Sequence, residues 1–161
     1  MRHGQAQGYL APHLNDLHRS LTTQGLDDTH RMGLALARAG VIPELILASE
    51  AKRATATADQ VASALGLVDK VAPNPRLYGA SAPIYLEEVQ QLPGEISVAL
   101  VVGHNPGISR FAHALRSTGS PTGSFPPGAV ACYEFAVQSW DEVHFHQGNC
   151  RWFTQPGEVD R

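Results

Sequence analysis

Two hydrophobic periods run through this chain. Between Thr22 and Ala39, the residues Leu26, Met32, Leu36 and Ala39 are spaced for one face of a helix, and Gly40 supplies a C-terminal stop. The same period returns in "AKRATATADQVASALG" (51–66), where Ala54, Ala58, Val61, Ala62 and Leu65 share a side and Gly66 closes the segment. Pro83 fits the first turn of a third helix carrying Tyr85, Val89 and Leu92. A fourth, "ISRFAHALR" (108–116), presents Ile108, Phe111, Ala112 and Leu115 together. Between the helices lie short apolar runs, "ELILAS" (44–49) and "ISVALVV" (96–102), which read as strands buried on both faces. "DKVAP" (69–73) predicts a shorter strand. Near the C-terminus, "AVACYEFAV" (129–137) and "EVHFHQ" (142–147) predict an antiparallel hairpin turning at "QSWD", with a last short strand near "CRWF". Residues 4–21 carry no clear period, and the stretch "STGSPTGSFPPG" (117–128) reads as a loop within a domain.

Strands alternating with helices predict an α/β fold: a three-layer sandwich with a mostly parallel central sheet, plus an antiparallel hairpin near the C-terminus. Residues 1–161 suit a single domain. Composition narrows the partners. A net charge of −3, with Lys and Arg scattered singly, argues against nucleic acid. No apolar run approaches the ~20 residues of a membrane span, and the polar start carries no signal peptide, so a cytoplasmic chain is expected. Cys132 and Cys150 are far apart and lack a metal-type spacing; reduced thiols fit that compartment. A monomer or a weak dimer is expected.

In a parallel α/β sheet, ligands bind beyond the C-terminal ends of the strands. That edge is chemically loaded here. Ser49 to Arg53 follow one strand and Gly103 to Gly107 follow another. Arg2 and Arg53 offer guanidinium forks for phosphate oxygens, His3 and His104 offer imidazoles, and each segment opens a helix whose free N–H groups favour an anion. Singly, each residue is unremarkable. Together they describe a site for a dianion.

Arg2-His3-Gly4, "DLHRSLTTQG" (16–25), "SEAKRATATA" (49–58) and "VVGHNPG" (101–107), in that order, resemble the histidine phosphatase superfamily, and within it the small SixA-type phosphohistidine phosphatases. The likeness continues through "RLYGAS" (76–81), "FPPGAVACYEF" (125–135), Trp140 and "RWFTQP" (151–156). The resemblance implies a metal-independent phosphatase with no cofactor. His3 would be the nucleophile that forms a covalent phosphohistidine. Arg2, Arg53 and His104 would hold the phosphoryl oxygens, with Gly4 beside them. Asp16, Arg19 and Asn105 would support the site from behind. The implied substrate is a phosphohistidine protein or a related activated phosphate, with phosphate ion as product. The alternatives are a small phosphorylated metabolite, cleaved by a phosphomonoesterase, and a non-catalytic domain binding phosphate or a phosphoprotein.

The chain departs from the family pattern at Glu50, at Arg19-Ser20-Leu21-Thr22 and at Pro126-Pro127-Gly128, which read as loop variation. Members that cleave alkyl phosphates carry a carboxylic acid in an inserted segment. Here the connection between Lys70 and Ile96 is short, and Glu87 and Glu88 are the candidates for a general acid, although a solvated helix face accounts for both. A missing acid favours a good leaving group such as phosphohistidine. His144 and His146 alternate on the expected second hairpin strand and read as its polar outer face; zinc would want three or four converging ligands. In the family an apolar strand leads into Arg-His-Gly, whereas Met1 alone stands there. That strand is therefore expected upstream of Met1, or its place is expected to be filled by another segment.

Overall fold

The computed structural model describes residues 1–8, 15–117 and 124–159. Residues 118–123 of the expected Pro/Gly/Ser loop, and 9–14 of the irregular N-terminal stretch, lie outside the described residues.

Helix α1 spans Thr23–Arg38, entered through Thr22, whose hydroxyl accepts the Gly25 N–H at 2.9 Å. It buries Met32 and Leu36, whereas Ala39, expected on the same face, is exposed. Strand β1 (Leu45–Ser49) leads directly into α2 (Lys52–Leu65), which buries Ala54, Ala58, Val61 and Ala62. Gly66 ends α2 in the left-handed conformation, with φ 70°. The small residues on α2 let α1 lie close: a Cβ on Gly33 would come within 2.7 Å of the Ala64 Cβ. Strand β2 is Val71–Asn74, α3 is Ala82–Gln90, β3 is Ala99–Val102 and α4 is Gly107–Leu115.

The three strands form a parallel sheet in the order β2-β1-β3. Strand periodicity sends alternate side chains to opposite faces. Ile46, Ala48, Leu100 and Val102 pack with α1 and α2, while Leu47 packs with Tyr85 of α3 and Phe111 and Leu115 of α4. The result is the three-layer arrangement expected. Strand β3 is shorter than the apolar run that announced it, because only Ala99–Val102 find partners on β1.

A second, two-stranded antiparallel sheet pairs β4 (Val130–Glu134) with β5 (Asn149–Thr154). The hairpin's location is as predicted but its second strand is not. "EVHFHQ" is no strand: Trp140–Glu142 is a 3-10 turn, and His146 sits at φ 65°. Gln138 N–H donates to Glu142, and the Trp140 indole donates to Ile96 O at 2.6 Å, so this segment turns back onto the α/β layer instead of extending. His144 and His146 therefore do not share a strand face. Cys132 and Cys150 are free thiols on β4 and β5. Among the described residues, no helix is long and apolar enough to cross a membrane.

Residues 1–3 connect the two sheets. Met1 O accepts from Gly103 N at 3.1 Å and His3 N donates to Gly103 O at 3.0 Å, which continues β3. On the other side Arg2 N donates to Ala129 O at 2.9 Å and Gly128 N donates to His3 O at 3.0 Å, just before β4. This short backbone zip delivers Arg2 and His3 to the C-terminal edge of the parallel sheet.

Candidate active site

His3 is 8% exposed and its ring is fixed by one hydrogen bond: Nδ1 lies 2.7 Å from Gly4 O. A carbonyl can only accept, so Nδ1 carries the hydrogen and the lone pair is on Nε2. Gly4 is held in turn by its N–H, which donates to Thr57 Oγ1 at 2.9 Å. A side chain on Gly4 would collide with Thr29 Cγ2 at 2.6 Å, so only glycine lets this loop sink against α1.

Arg53 enters from the first turn of α2 and is also buried. Its Nε points at His3 Nε2, 3.4 Å away. The other end of the fork is anchored on Asp16: Nη1 donates to the backbone carbonyl and Nη2 to Oδ2, both at 2.7 Å. The Asp16 carboxylate also takes Arg19 Nε at 2.9 Å and the Tyr78 hydroxyl at 2.8 Å. Asp16 and Arg19 thus stand behind Arg53, where the resemblance implied supporting residues.

His104 follows β3, its ring centroid 5.0 Å from that of His3. Its backbone N–H donates to the Tyr85 hydroxyl at 3.1 Å, and a Cβ on the neighbouring Gly103 would fall 2.0 Å from that oxygen. Its Nε2 lies 2.8 Å from Ser49 Oγ at the end of β1. Ser49 Oγ also accepts from Ala51 N at 3.4 Å; where its hydroxyl donates to Nε2, the ring proton is on Nδ1. His104 Nδ1 and Arg2 Nε are both buried without a hydrogen-bond partner among the described residues. Such orphaned polar atoms are costly unless something pairs with them. Arg2 is tethered by Nη1 to Phe125 O at 3.0 Å, a carbonyl it shares with Asn105 Nδ2, also at 3.0 Å.

The electrostatics favour neutral rings. Burial pushes His3 down to about 4; the Gly4 hydrogen bond opposes this, and Arg53, Arg2 and Arg19 add to the lowering. Burial likewise takes His104 to about 3, helped by His3 and Arg53. Buried next to guanidinium groups, each imidazole sheds its proton and keeps a lone pair available. A recess of about 320 Å³, lined by Ser81, Pro83, His104, Asn105 and Arg110, opens beside His104.

Glu87 and Glu88 are held elsewhere. Glu87 pairs with Arg76 at 2.6 Å, and Glu88 bonds Arg76 and Asn74. Among the described residues, neither hydrogen-bonds His3, Arg53 or His104. Glu50 is exposed. Among the described residues no group of three or more His, Cys, Asp or Glu gathers as a metal site.

Three residues at the site were not assigned to it from the sequence. Thr57 ties Gly4 to α2; Tyr78 bonds Asp16 and sets its ring edge-on to His104 at 5.6 Å; Tyr85 supports the His104 backbone. Tyr78 lies within the quoted "RLYGAS" motif, which could have flagged it. Thr57 and Tyr85 sit at helical positions that read as core.

No family model matches the sequence. An uncharacterized protein of Mycobacterium leprae is 27% identical, covering 91% of this chain and 98% of its own. Among solved structures, a protein histidine phosphatase SixA complexed with tungstate is 26% identical with a TM-score of 0.81, covering 99% of this chain and 96% of that one. A SixA structure from Nakamurella multipartitia reaches the same TM-score at 24% identity, over 98% and 94% of the two chains. One from Agrobacterium tumefaciens reaches 0.79 at 23%, over 97% and 95%. With the fold shared end to end, and Arg2-His3-Gly4, Arg53 and Gly103-His104 gathered at one sheet edge, the chain is similar in fold and in the residues at that edge to the SixA-type phosphohistidine phosphatases.

Proposed function

We propose that this protein is a metal-independent phosphatase that removes phosphate from phosphohistidine on proteins, through a covalent intermediate on His3. The observation that carries the proposal is the state of His3: a neutral, buried imidazole with Nδ1 bound to Gly4 O and the lone pair of Nε2 beside Arg53. The likeness to a protein histidine phosphatase that binds tungstate, a phosphate-like oxyanion, supports it.

In this reading the Nε2 lone pair forms a bond to phosphorus. The P–N bond of the substrate breaks, its electron pair goes to the departing imidazole, and that ring takes up a proton. Phosphorylated His3 keeps its Nδ1 hydrogen and becomes cationic, which the Gly4 carbonyl stabilises. Water then attacks phosphorus, the N–P pair returns to Nε2, and inorganic phosphate leaves. Splitting hydrolysis this way is covalent catalysis. Arg2, Arg53 and His104 Nδ1 are the donors available to the equatorial oxygens, where charge builds in the transition state. Arg2 Nε and His104 Nδ1, which lack a partner among the described residues, would gain one in a phosphoryl oxygen. Glu87 and Glu88, engaged with Arg76, are given no acid role, and a leaving imidazole needs less help than an alkoxide. A chain of this kind, acting on a phosphorylated protein, suits the cytoplasm.

The test compares hydrolysis of a phosphohistidine peptide, an aryl phosphate and a sugar phosphate by the protein and by His3→Ala. Turnover is expected to be fastest on the peptide, to vanish in His3→Ala and to survive a chelator. A fully active His3→Ala variant, or loss of activity to the chelator, would overturn the mechanism. A preference for the sugar phosphate would overturn the substrate.

A further inference from the structure

The recess beside His104 carries a charge that the chemistry at His3 does not use. It lies where two helices begin. Ser81 and Pro83 open α3 on one wall, and Asn105 and Gly107 lead into α4 on the other. The walls are locked together: Tyr85 of α3 stacks on Phe111 of α4 with ring centroids 5.5 Å apart, and a Cβ on Gly107 would overlap Ala80 O. The opening is therefore a fixed part of the fold. At about 320 Å³ it stands at the small end of ligand clefts, ~300–1,000 Å³, with room for a side chain and its peptide unit.

The lining has one sign. Among the described residues Arg110, at the end of the first turn of α4, is the one charged side chain on it, and no Asp or Glu lines it. Arg53, Arg76 and Arg151 are each held by a carboxylate. Arg110 is exposed, and among the described residues its guanidinium has no hydrogen-bond or ion-pair partner. The nearby carboxylates are committed elsewhere, Asp16 to Arg53 and Arg19, and Glu87 and Glu88 to Arg76. Both helix starts add to the same sign. Neither Ser81 nor Pro106 caps its helix through a side chain, so the positive ends of two helix dipoles meet here.

His104 joins this recess to the reacting centre. It lines the recess, its ring centroid is 5.0 Å from that of His3, and at 7% exposure its Nδ1 has no partner among the described residues. An anion in the recess therefore sits next to the phosphoryl group and belongs to the same substrate. One guanidinium fork matches the two oxygens of a carboxylate, whereas it would leave a second phosphate dianion half neutralised.

We propose that the recess is a carboxylate subsite and that Arg110 is the residue that gives it its specificity. The inference takes its substrate from the phosphohistidine reading, in which the carboxylate is the side chain of an Asp or Glu beside the phosphohistidine. Arg110 lies outside the group that surrounds the reacting atoms, so it holds ground state and transition state alike. Its selectivity is expressed in KM and little in kcat. Because Arg110 is exposed, the selectivity weakens as salt rises.

The test uses two substrate pairs. Phosphohistidine peptides differ by Asp against Asn on either side of the phosphohistidine, and aryl phosphates differ by a ring carboxylate against its carboxamide. kcat and KM are read for the wild-type protein, Arg110→Lys and Arg110→Glu. The wild type should favour the Asp peptide by on the order of tenfold in kcat/KM, mostly through KM, and by less at high salt. Arg110→Lys should keep part of the preference, and Arg110→Glu should abolish or reverse it. No preference in either pair, or one that Arg110→Glu leaves intact, would overturn the proposal. A preference in the aryl pair with none among peptides that are turned over would overturn Asp or Glu as the source of the carboxylate. If no phosphohistidine peptide is turned over, the functional reading fails by itself and the aryl pair still judges the recess. A carboxylate preference there that Arg110→Glu removes would support the subsite, and its absence would overturn it.

Discussion

Asp16 holds Arg53 at two points, by its backbone carbonyl and its carboxylate, each at 2.7 Å. The grip leaves Arg53 Nε turned to His3 Nε2. Removing the carboxylate should therefore loosen the guanidinium rather than delete it. Asp16→Ala is expected to lower kcat/KM for a phosphohistidine peptide on the order of 10²-fold, the scale of a misplaced catalytic group, with Asp16→Asn in between. Steady-state kinetics check this, and wild-type values in Asp16→Ala would remove Asp16 from the site.

Thr57 links the same arginine to the nucleophile's loop from within α2. Its hydroxyl accepts from Gly4 N at 2.9 Å and donates to Arg53 O at 2.7 Å, and the residue is fully buried. Thr57→Val keeps the shape but leaves the Gly4 N–H unsatisfied, at a cost of about 1–3 kcal/mol. Denaturant unfolding should read that loss. Turnover should fall as well, since Gly4 O orients the His3 ring.

The pH dependence follows from the two depressed imidazoles. His3 lies near 4 and His104 near 3, against an ordinary value of 6.5. Below 6.5 the unfolded chain takes up protons on these rings while the native chain does not. Their contribution to stability is therefore complete above 6.5 and is lost as pH falls through 4 toward 3, on the order of 3 kcal/mol for His3. kcat/KM should likewise show no acid limb near 6.5 from His3 and should decline only as pH nears 4. An acid limb near 6.5 that disappears in His3→Ala or His104→Ala binding assays would show the rings to be better solvated than their burial implies.

Glu87→Gln and Glu88→Gln should leave kcat/KM for a phosphohistidine peptide within about twofold of wild type, because both carboxylates are committed to Arg76. A large loss with alkyl phosphates in either variant would reveal a proton donor that this packing hides.

Tyr85→Phe tests the support under His104. The hydroxyl accepts the His104 N–H at 3.1 Å and lies 3.3 Å from Leu77 O inside the core. Its removal leaves both buried groups short of a partner, for about 1–3 kcal/mol in thermal or denaturant unfolding.

The helices and the parallel strands were legible along the chain because what specifies them is local. Met32 and Leu36, or Ala54, Ala58 and Val61, recur within a few residues of each other, and Thr22 and Gly66 cap what lies next to them. The placing of the candidate site residues at one sheet edge was legible too, because Arg53 and His104 stand immediately beyond buried strands. What had to wait for the tertiary structure depends on residues far apart. The partner of β4 is Asn149–Thr154, not the nearer "EVHFHQ", because strand pairing rewards a register across space that no local pattern records. The clasp of Asp16 and Tyr78 on Arg53, and the commitment of Glu87 and Glu88 to Arg76, join side chains from separate elements. The proton positions on His3 and His104 depend on Gly4 O and Ser49 Oγ and on burial that only packing creates. Residue type and spacing along the chain determined which groups were available; distance and desolvation in three dimensions decided which of them meet and in what charge state.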